Sequence, residues 1–309
     1  MNPAIVYLAQ NTSQDSQHRR QSRQLLTCSL QYLFAFYNAK FQHDVVIFHE
    51  GDFSLREQRE IAAGRPIRFE LLQFELPDAD YESPVSPRWY ERGASHYHWT
   101  LGHRHMCRFY GITIWRKLDA LGYDWVMRFD DDSFMLSAVD YDMFQFAAAQ
   151  GYRYGYRVDC WEPASLSEGF HEFIAGYARA NSIPASLYWR WSQSRPPHFR
   201  GFYNNWFLSD VSWWLSDPVA SFLRAVDRTG FVYTRRWNDL IIQAAAVQLF
   251  MRPSELYKFT DWTYQHASTN RDNSLGWGGV FIGSNDPACV YAGHFAKQNG
   301  RILANRMTF

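Results

Sequence analysis

Three consecutive aspartates, Asp130, Asp131 and Asp132, follow a mostly apolar stretch in "DWVMRFDDDSFML" (124–136). Carboxylates that close repel one another and resist leaving water. Something positive must face them: a divalent cation, a ring of arginines, or plain solvent. Along an extended chain alternate side chains share a face, which puts Asp130 and Asp132 together and Asp131 elsewhere. Two carboxylates so spaced can hold Mg2+ or Mn2+, which take one or two protein carboxylates along with phosphate oxygens and water. A cation clamped on a diphosphate stabilises it as a leaving group. That chemistry suits transfer from a nucleotide sugar. An acidic surface turn and a metal-dependent phosphatase would show the same letters.

The elements that position the aspartates follow from periodicity. "AIVYLAQN" (4–11), "HDVVIFHEG" (43–51) and "RFELLQFEL" (68–76) read as strands, and 22–41 and 54–64 as helices between them. This alternation predicts an α/β fold with a mostly parallel sheet covered by helices. A loop is expected at 77–97, a helix over 99–122, and then a strand that delivers the aspartates at its C-terminal end. Open α/β sheets bind ligands at those ends. Further helices are expected in the middle of 159–201 and at 216–230 and 237–251, a strand at 256–266, and an irregular tail from 270. No linker interrupts the chain, so one domain is expected over 1–309.

Composition narrows the function. A hydrophobic share of 47% over 309 residues supports a sizeable core. The formal net charge of zero argues against nucleic acid as a partner. The four cysteines, Cys28, Cys107, Cys160 and Cys289, form no CxxC pair, which disfavours a zinc site or a small disulfide scaffold. No GxxxxGK[ST], GxGxxG, GxSxG or HExxH occurs. The first strand reaches no acid before Asp15, unlike a haloacid-dehalogenase-type phosphatase. No signal peptide or membrane span is read, so the expectation is a soluble chain, cytosolic or freed of an anchor. "NTS" at 11–13 fits a glycosylation acceptor but sits where the first strand should meet a nucleotide. Trp206, Trp213 and Trp214 read as core rather than as a sugar platform.

Several segments in order resemble the fungal-type α-1,2-mannosyltransferases, glycosyltransferase family 15. They are "HRHMCRFYG" (103–111), "YDWVMRFDDDSF" (123–134), "YDMFQF" (141–146), "YNNWFLSD" (203–210), "VDRTGFVYTRRWND" (226–239) and "FTDWTYQH" (259–266). The resemblance runs from about residue 4 to 267. It implies a GT-A-type fold, a Rossmann-like mixed β-sheet flanked by helices. The nucleotide-binding part would span about 1–135 and the acceptor and catalytic part about 136–309. It also implies GDP-mannose as donor, a glycan hydroxyl as acceptor, Mn2+ (or Mg2+) as cofactor, and retention of anomeric configuration. Family members work in the Golgi behind an N-terminal anchor.

Carried onto this sequence, Asp130 and Asp132 stand where the family has Glu and Asp, and His266 stands at its metal-binding histidine. Arg104, Arg108, Arg235 and Arg236 could neutralise the diphosphate or hold the acceptor. Asp239 belongs to the matching "RRWND", as a helix N-terminal charge or a substrate contact. His103 replaces a family tyrosine. Phe207 replaces a glutamate long discussed as a nucleophile, which rules out double displacement through that position. Glu162 and Asn205 are the candidate substitutes. A front-face substitution, in which the leaving diphosphate helps deprotonate the acceptor hydroxyl, needs no such carboxylate.

Overall fold

The computed structural model describes residues 1–11, 22–81, 100–162, 164–184, 199–262 and 264–266. The expected loop from 82 onward, positions 12 and 13 of "NTS", the prolines in 194–198 and the tail from 270 lie outside them. The opening apolar runs form β1 (Pro3–Leu8), β2 (Asp44–His49) and β3 (Ile67–Leu71), and the run before the aspartates forms β4 (Trp125–Phe129). These four pair in parallel, β1 lying between β4 and β2, and β3 next to β2. β5 (Phe134–Met135), β6 (Tyr154–Tyr156), β7 (Asp159–Glu162), β8 (Phe199–Phe202), β9 (Trp206–Asp210), β10 (Leu256–Lys258) and β11 (Tyr264–Gln265) follow. A seven-stranded sheet results, ordered β10-β6-β9-β4-β1-β2-β3. β9 runs antiparallel to both β4 and β6, so the sheet is mixed, as a GT-A-type fold requires. Both the front and the rear of the chain supply strands to it.

Helices cover both faces. On one side lie α1 (Ser22–Leu33), α2 (Leu55–Ala62) and, later in the chain, α5 (Met143–Gln150); on the other lie α3 (Leu101–Arg108) and α4 (Ile114–Ala120). α6 (Phe170–Ala180), α7 (Val211–Leu215), α8 (Asp217–Arg228), α9 (Phe231–Thr234) and α10 (Asp239–Phe250) thicken that second layer. α2 begins at a capping box, in which the Ser54 hydroxyl and the Glu57 carboxylate each take the other's backbone N–H. α1 and α3 each run into a π-helical turn, at Phe34–Asn38 and Phe109–Thr113. The strands alternate between the two cores: Val126 and Phe207 face one, Met127, Phe129, Trp206 and Leu208 the other. α10 is buried on every side from Asp239 to Leu249, which explains why, after its first residue, it is apolar all round apart from Gln243 and Gln248, whose amides donate to the Tyr110 and Arg200 carbonyls. It lies close to the π turn: a Cβ added to Gly111 would sit 3.2 Å from the Cα of Asp239. Only glycine permits that approach without a shift.

Two expectations change. The strand expected over 68–76 ends at Leu71, and the one expected over 256–266 splits into β10 and β11. Phe259 and Trp262 in the break are fully or almost fully buried, so the chain bends there to bury its rings. Trp206, Trp213 and Trp214 are all buried, with Trp214 stacked on Trp115 at 4.1 Å, so they are core. Among the described residues no helix is long and apolar enough to cross a membrane.

Candidate active site

β4 ends at Phe129 and the aspartates form a turn rather than an extension of the strand. The Ser133 N–H donates to the Asp130 carbonyl at 3.0 Å, and the Asp130 N–H lies 3.3 Å from the Ser133 hydroxyl. That hydroxyl shares a hydrogen bond of 2.8 Å with Tyr264, and Ser29 donates to the Ser133 carbonyl. Buried hydroxyls therefore fix the turn from below. β11 then pairs antiparallel with β5, Tyr264 opposite Met135 and Gln265 opposite Phe134. One step further along, His266 arrives at the aspartates.

Its Nε2 lies 2.9 Å from Asp132 Oδ1 and 3.6 Å from Asp130 Oδ2. Asp130 and Asp132 do meet, through the turn and not through strand alternation. One ligand atom from each of Asp130, Asp132 and His266 lies within 4.8 Å of the others. Burial works against charge on His266, but Asp132 and Asp130 outweigh it and hold the imidazole pKa at about 9. The three side chains thus hold a proton where a cation would sit. Two carboxylate oxygens and one imidazole nitrogen form a donor set that suits Mn2+.

A cation within the protein backs this triad. Arg128, inside β4, donates from Nε to Asp130 Oδ1 at 2.8 Å and from Nη1 to Asp239 Oδ2 at 2.6 Å. Burial alone would lower its pKa, but Asp130 and Asp239 outweigh that and raise it above the usual value. Asn204 also donates to Asp239 Oδ2, at 2.9 Å. Asp239 is the first residue of α10, where a carboxylate also complements the helix dipole. Arg128 and Asn204 share its Oδ2, and the buried Cys107 thiol also hydrogen-bonds to it.

A second group gathers next to Asp239. Asn238 caps α10 by accepting from the Ile241 N–H, while its Nδ2 donates to Glu162 Oε1 at 2.6 Å. Arg236 Nη1 is 3.7 Å from the same Glu162 oxygen, and Arg236 Nη2 is 2.9 Å from His103 Nε2. His103 Nε2 can only accept there, so that nitrogen carries no proton. Burial pushes the Glu162 pKa up against the pull of Arg236 and Asn238, with Asp239 adding to the rise. Arg236 sits at φ 59°, left-handed for a non-glycine residue, a cost of about 1–2 kcal/mol.

The remaining candidates divide. Arg104 donates to the Tyr233 carbonyl at 2.7 Å; burial, with Arg236 nearby, lowers its pKa to about 10. Arg108 is engaged elsewhere, gripping Asp227 at 2.7 and 2.8 Å and the Glu75 carbonyl at 2.7 Å. Arg235 stacks on Phe231 at 4.0 Å. Asn205 is buried, and its Nδ2 has no acceptor among the described residues, as expected of a group that meets a ligand. Phe207 is fully buried between Trp115 and Tyr154, with both ring centroids at 5.9 Å. Sequence reasoning missed Arg128, Asn204 and Asn238. The signal for Arg128 was a lone charge in an apolar strand, two residues before Asp130.

A mixed sheet with an acid turn after its central strand and a histidine brought to it defines a GT-A-type glycosyltransferase fold. The sequence profile of the glycolipid 2-alpha-mannosyltransferase family matches residues 17–274, and this chain belongs to that family. Glycolipid 2-alpha-mannosyltransferase of Saccharomyces cerevisiae is 22% identical over 260 residues, covering 78% of this chain and 57% of the relative. Glycolipid 2-alpha-mannosyltransferase 1 of Candida albicans is 24% identical over 255 residues, covering 77% and 58%. The chain spans about half the length of the curated relatives it matches, between 44% and 58% for four of them. Core-mannan synthase A from Aspergillus fumigatus, solved in a Mn/GDP form, superposes with a TM-score of 0.75 at 17% identity, covering 92% of this chain and 81% of that one. The mannosyltransferase Ktr4p from S. cerevisiae gives 0.74 at 18% identity, covering 87% and 71%.

Proposed function

We propose that this chain is a metal-dependent, retaining glycosyltransferase that moves mannose from GDP-mannose to a glycan hydroxyl, as an α-1,2-mannosyltransferase. The observation that carries the reading is the convergence of Asp130, Asp132 and His266 on one point at the C-terminal end of the central strand. The Mn/GDP form of core-mannan synthase A and the GDP complex of Ktr4p support the same donor and cation. Residues 1–135 would chiefly bind the nucleotide and 136–309 the acceptor.

Asp130, Asp132 and His266 would hold Mn2+, with Mg2+ as the alternative. Bound there, the cation would neutralise charge that gathers on the departing diphosphate. Arg236 and Arg104 bring positive charge to the adjoining corner, and His103 orients Arg236. Asn205 offers a buried amide to the reacting sugar or the diphosphate. Glu162, whose raised pKa lets it keep or take a proton, is the carboxylate placed to meet an acceptor hydroxyl. Phe207, shut into the core, cannot act as a nucleophile, which favours front-face substitution. Asp239 serves by holding Arg128 and Asn204.

The test is calorimetric titration of GDP and UDP, with and without Mn2+, followed by turnover of GDP-mannose with mannoside acceptors. The reading expects Mn2+-dependent GDP binding and mannosyl transfer, both lost in Asp132→Ala. UDP in place of GDP would discard mannose and keep the class. The apolar Phe207 favours a second reading, a glycan-binding protein without turnover. Glycan binding without nucleotide binding would select it.

A further inference from the structure

We infer that Arg128 is a positioning residue for the metal site: it fixes which oxygen of Asp130 faces the cation and ties that carboxylate to the start of α10. The inference rests on the proposed metal role of Asp130, Asp132 and His266. Arg128 is 3% exposed and its planar guanidinium is covered on several sides. Nε takes Asp130 Oδ1 and Nη1 takes Asp239 Oδ2. The Tyr110 ring lies 3.5 Å below the guanidinium carbon, and Met106 Sδ is 3.8 Å from Nη2. A group held at two edges and one face cannot swing.

The consequence falls on Asp130. Its Oδ1 is taken by Arg128, which leaves Oδ2 towards His266 Nε2, at 3.6 Å. Asp130 is therefore set to give one oxygen to a cation. Single-oxygen carboxylates suit the octahedral demands of Mn2+ and Mg2+, whereas Ca2+ readily takes both oxygens. Asp239 cannot drift either, since Asn204 holds the same oxygen that Arg128 uses. Asp130 and Arg128 are two apart on the chain and Asp239 is far along it, so the link joins the metal turn to the acceptor part.

Arg128→Lys keeps the charge and loses the fork, because an ammonium is a point charge on a flexible stem. In the full chain, without nucleotide, Mn2+ affinity would be measured by calorimetry or spin-resonance titration. Melting in a chelator would be measured alongside. We expect Mn2+ affinity 10–100-fold weaker, by analogy with other outer-shell partners of metal ligands (~10–100-fold), with melting well above assay temperature. Asp132→Ala is the control. If it loses Mn2+ binding while Arg128→Lys binds like wild type, the positioning role is overturned and Arg128 is a core ion pair. If Asp132→Ala itself binds Mn2+ like wild type, the metal reading fails and this inference with it. Should Arg128→Lys not fold, Asp239→Asn frees the outer end of the fork while keeping its shape. It is expected to weaken Mn2+ binding in the same direction, and unchanged affinity would overturn the inference.

Discussion

β4 and β9 lie side by side at the middle of the sheet, both almost wholly buried, with Arg128 and Phe207 opposite each other in register. Direct partners in an antiparallel pair share a face. One member of the pair is a buried cation and the other a buried ring. Arg128 has two carboxylates and the Tyr110 ring; Phe207 has Trp115 and Tyr154. The difference teaches that depth alone does not mark a functional position in this sheet. The neighbours do: where β4 leads into the aspartate turn, charge is answered by charge, and where β9 passes the same level the core simply closes.

The largest expected effect breaks the charged side of that comparison. Asp132→Ala should lower Mn2+-dependent transfer more than about 100-fold, since even outer-shell partners cost ~10–100-fold; transfer at wild-type rate would sink the metal reading. On the apolar side, Phe207→Ala should cost about 3–5 kcal/mol of stability by opening a cavity between Trp115 and Tyr154. Phe207→Leu should cost less and leave turnover intact, and denaturant unfolding beside an activity assay reads both. A collapse of kcat in Phe207→Leu without loss of stability would show that the ring does more than fill space.

The pH response sharpens the contrast further. The pKa of His266 rises from 6.5 to about 9 on folding in the absence of metal. Its pairing with the two aspartates therefore stabilises the metal-free protein fully below pH 6.5 and is lost as pH rises through about 9. In a chelator, wild type should melt above His266→Gln at pH 6, and the gap should close towards pH 10. A gap that widens with pH would contradict the paired geometry. The smallest effect is expected at Arg108, whose paired carboxylate lies on α8. Arg108→Ala should cost about 1–3 kcal/mol by leaving the half-buried Asp227 without its partner, with KM for the donor unchanged; a large rise in KM would return Arg108 to the substrate.

Much of this was legible in the sequence. The aspartate triplet after an apolar run marked the end of β4 because strands buried on both faces read as continuous apolar segments. His266 was legible by resemblance alone, since the β5–β11 pairing that carries it to Asp132 spans two residues per strand and leaves no periodicity. β6, β7 and β8 escaped for a related reason: strands of three or four residues are too short to set up a clear period. The aspartates were expected on an extended chain, but the Ser133 hydroxyl and N–H fold them into a turn. Glu162 and Arg236 came as separate names; that Asn238 joins Glu162 to the cap of α10 is a tertiary fact.

The π turn at Phe109–Thr113 has a bearing on chain length. A π turn accommodates one more residue than the α-helix it interrupts, and it leaves a carbonyl without its usual helical donor. Here Gln243 of α10 donates to the Tyr110 carbonyl at 3.0 Å. The same turn sets the Tyr110 ring beneath Arg128 and Gly111 against Asp239. Deleting a single residue within 109–113 would let the helix run straight and turn every later side chain of α4 by about 100°, one residue's rotation in a helix of ~3.6 residues per turn. Trp115 would leave its stack on Trp214, and the guanidinium its ring. The spacing between "HMCRF" and "IWRKL" is thus as strict a requirement of this protein as the aspartates themselves, although it supplies none of the three side chains of the candidate metal group.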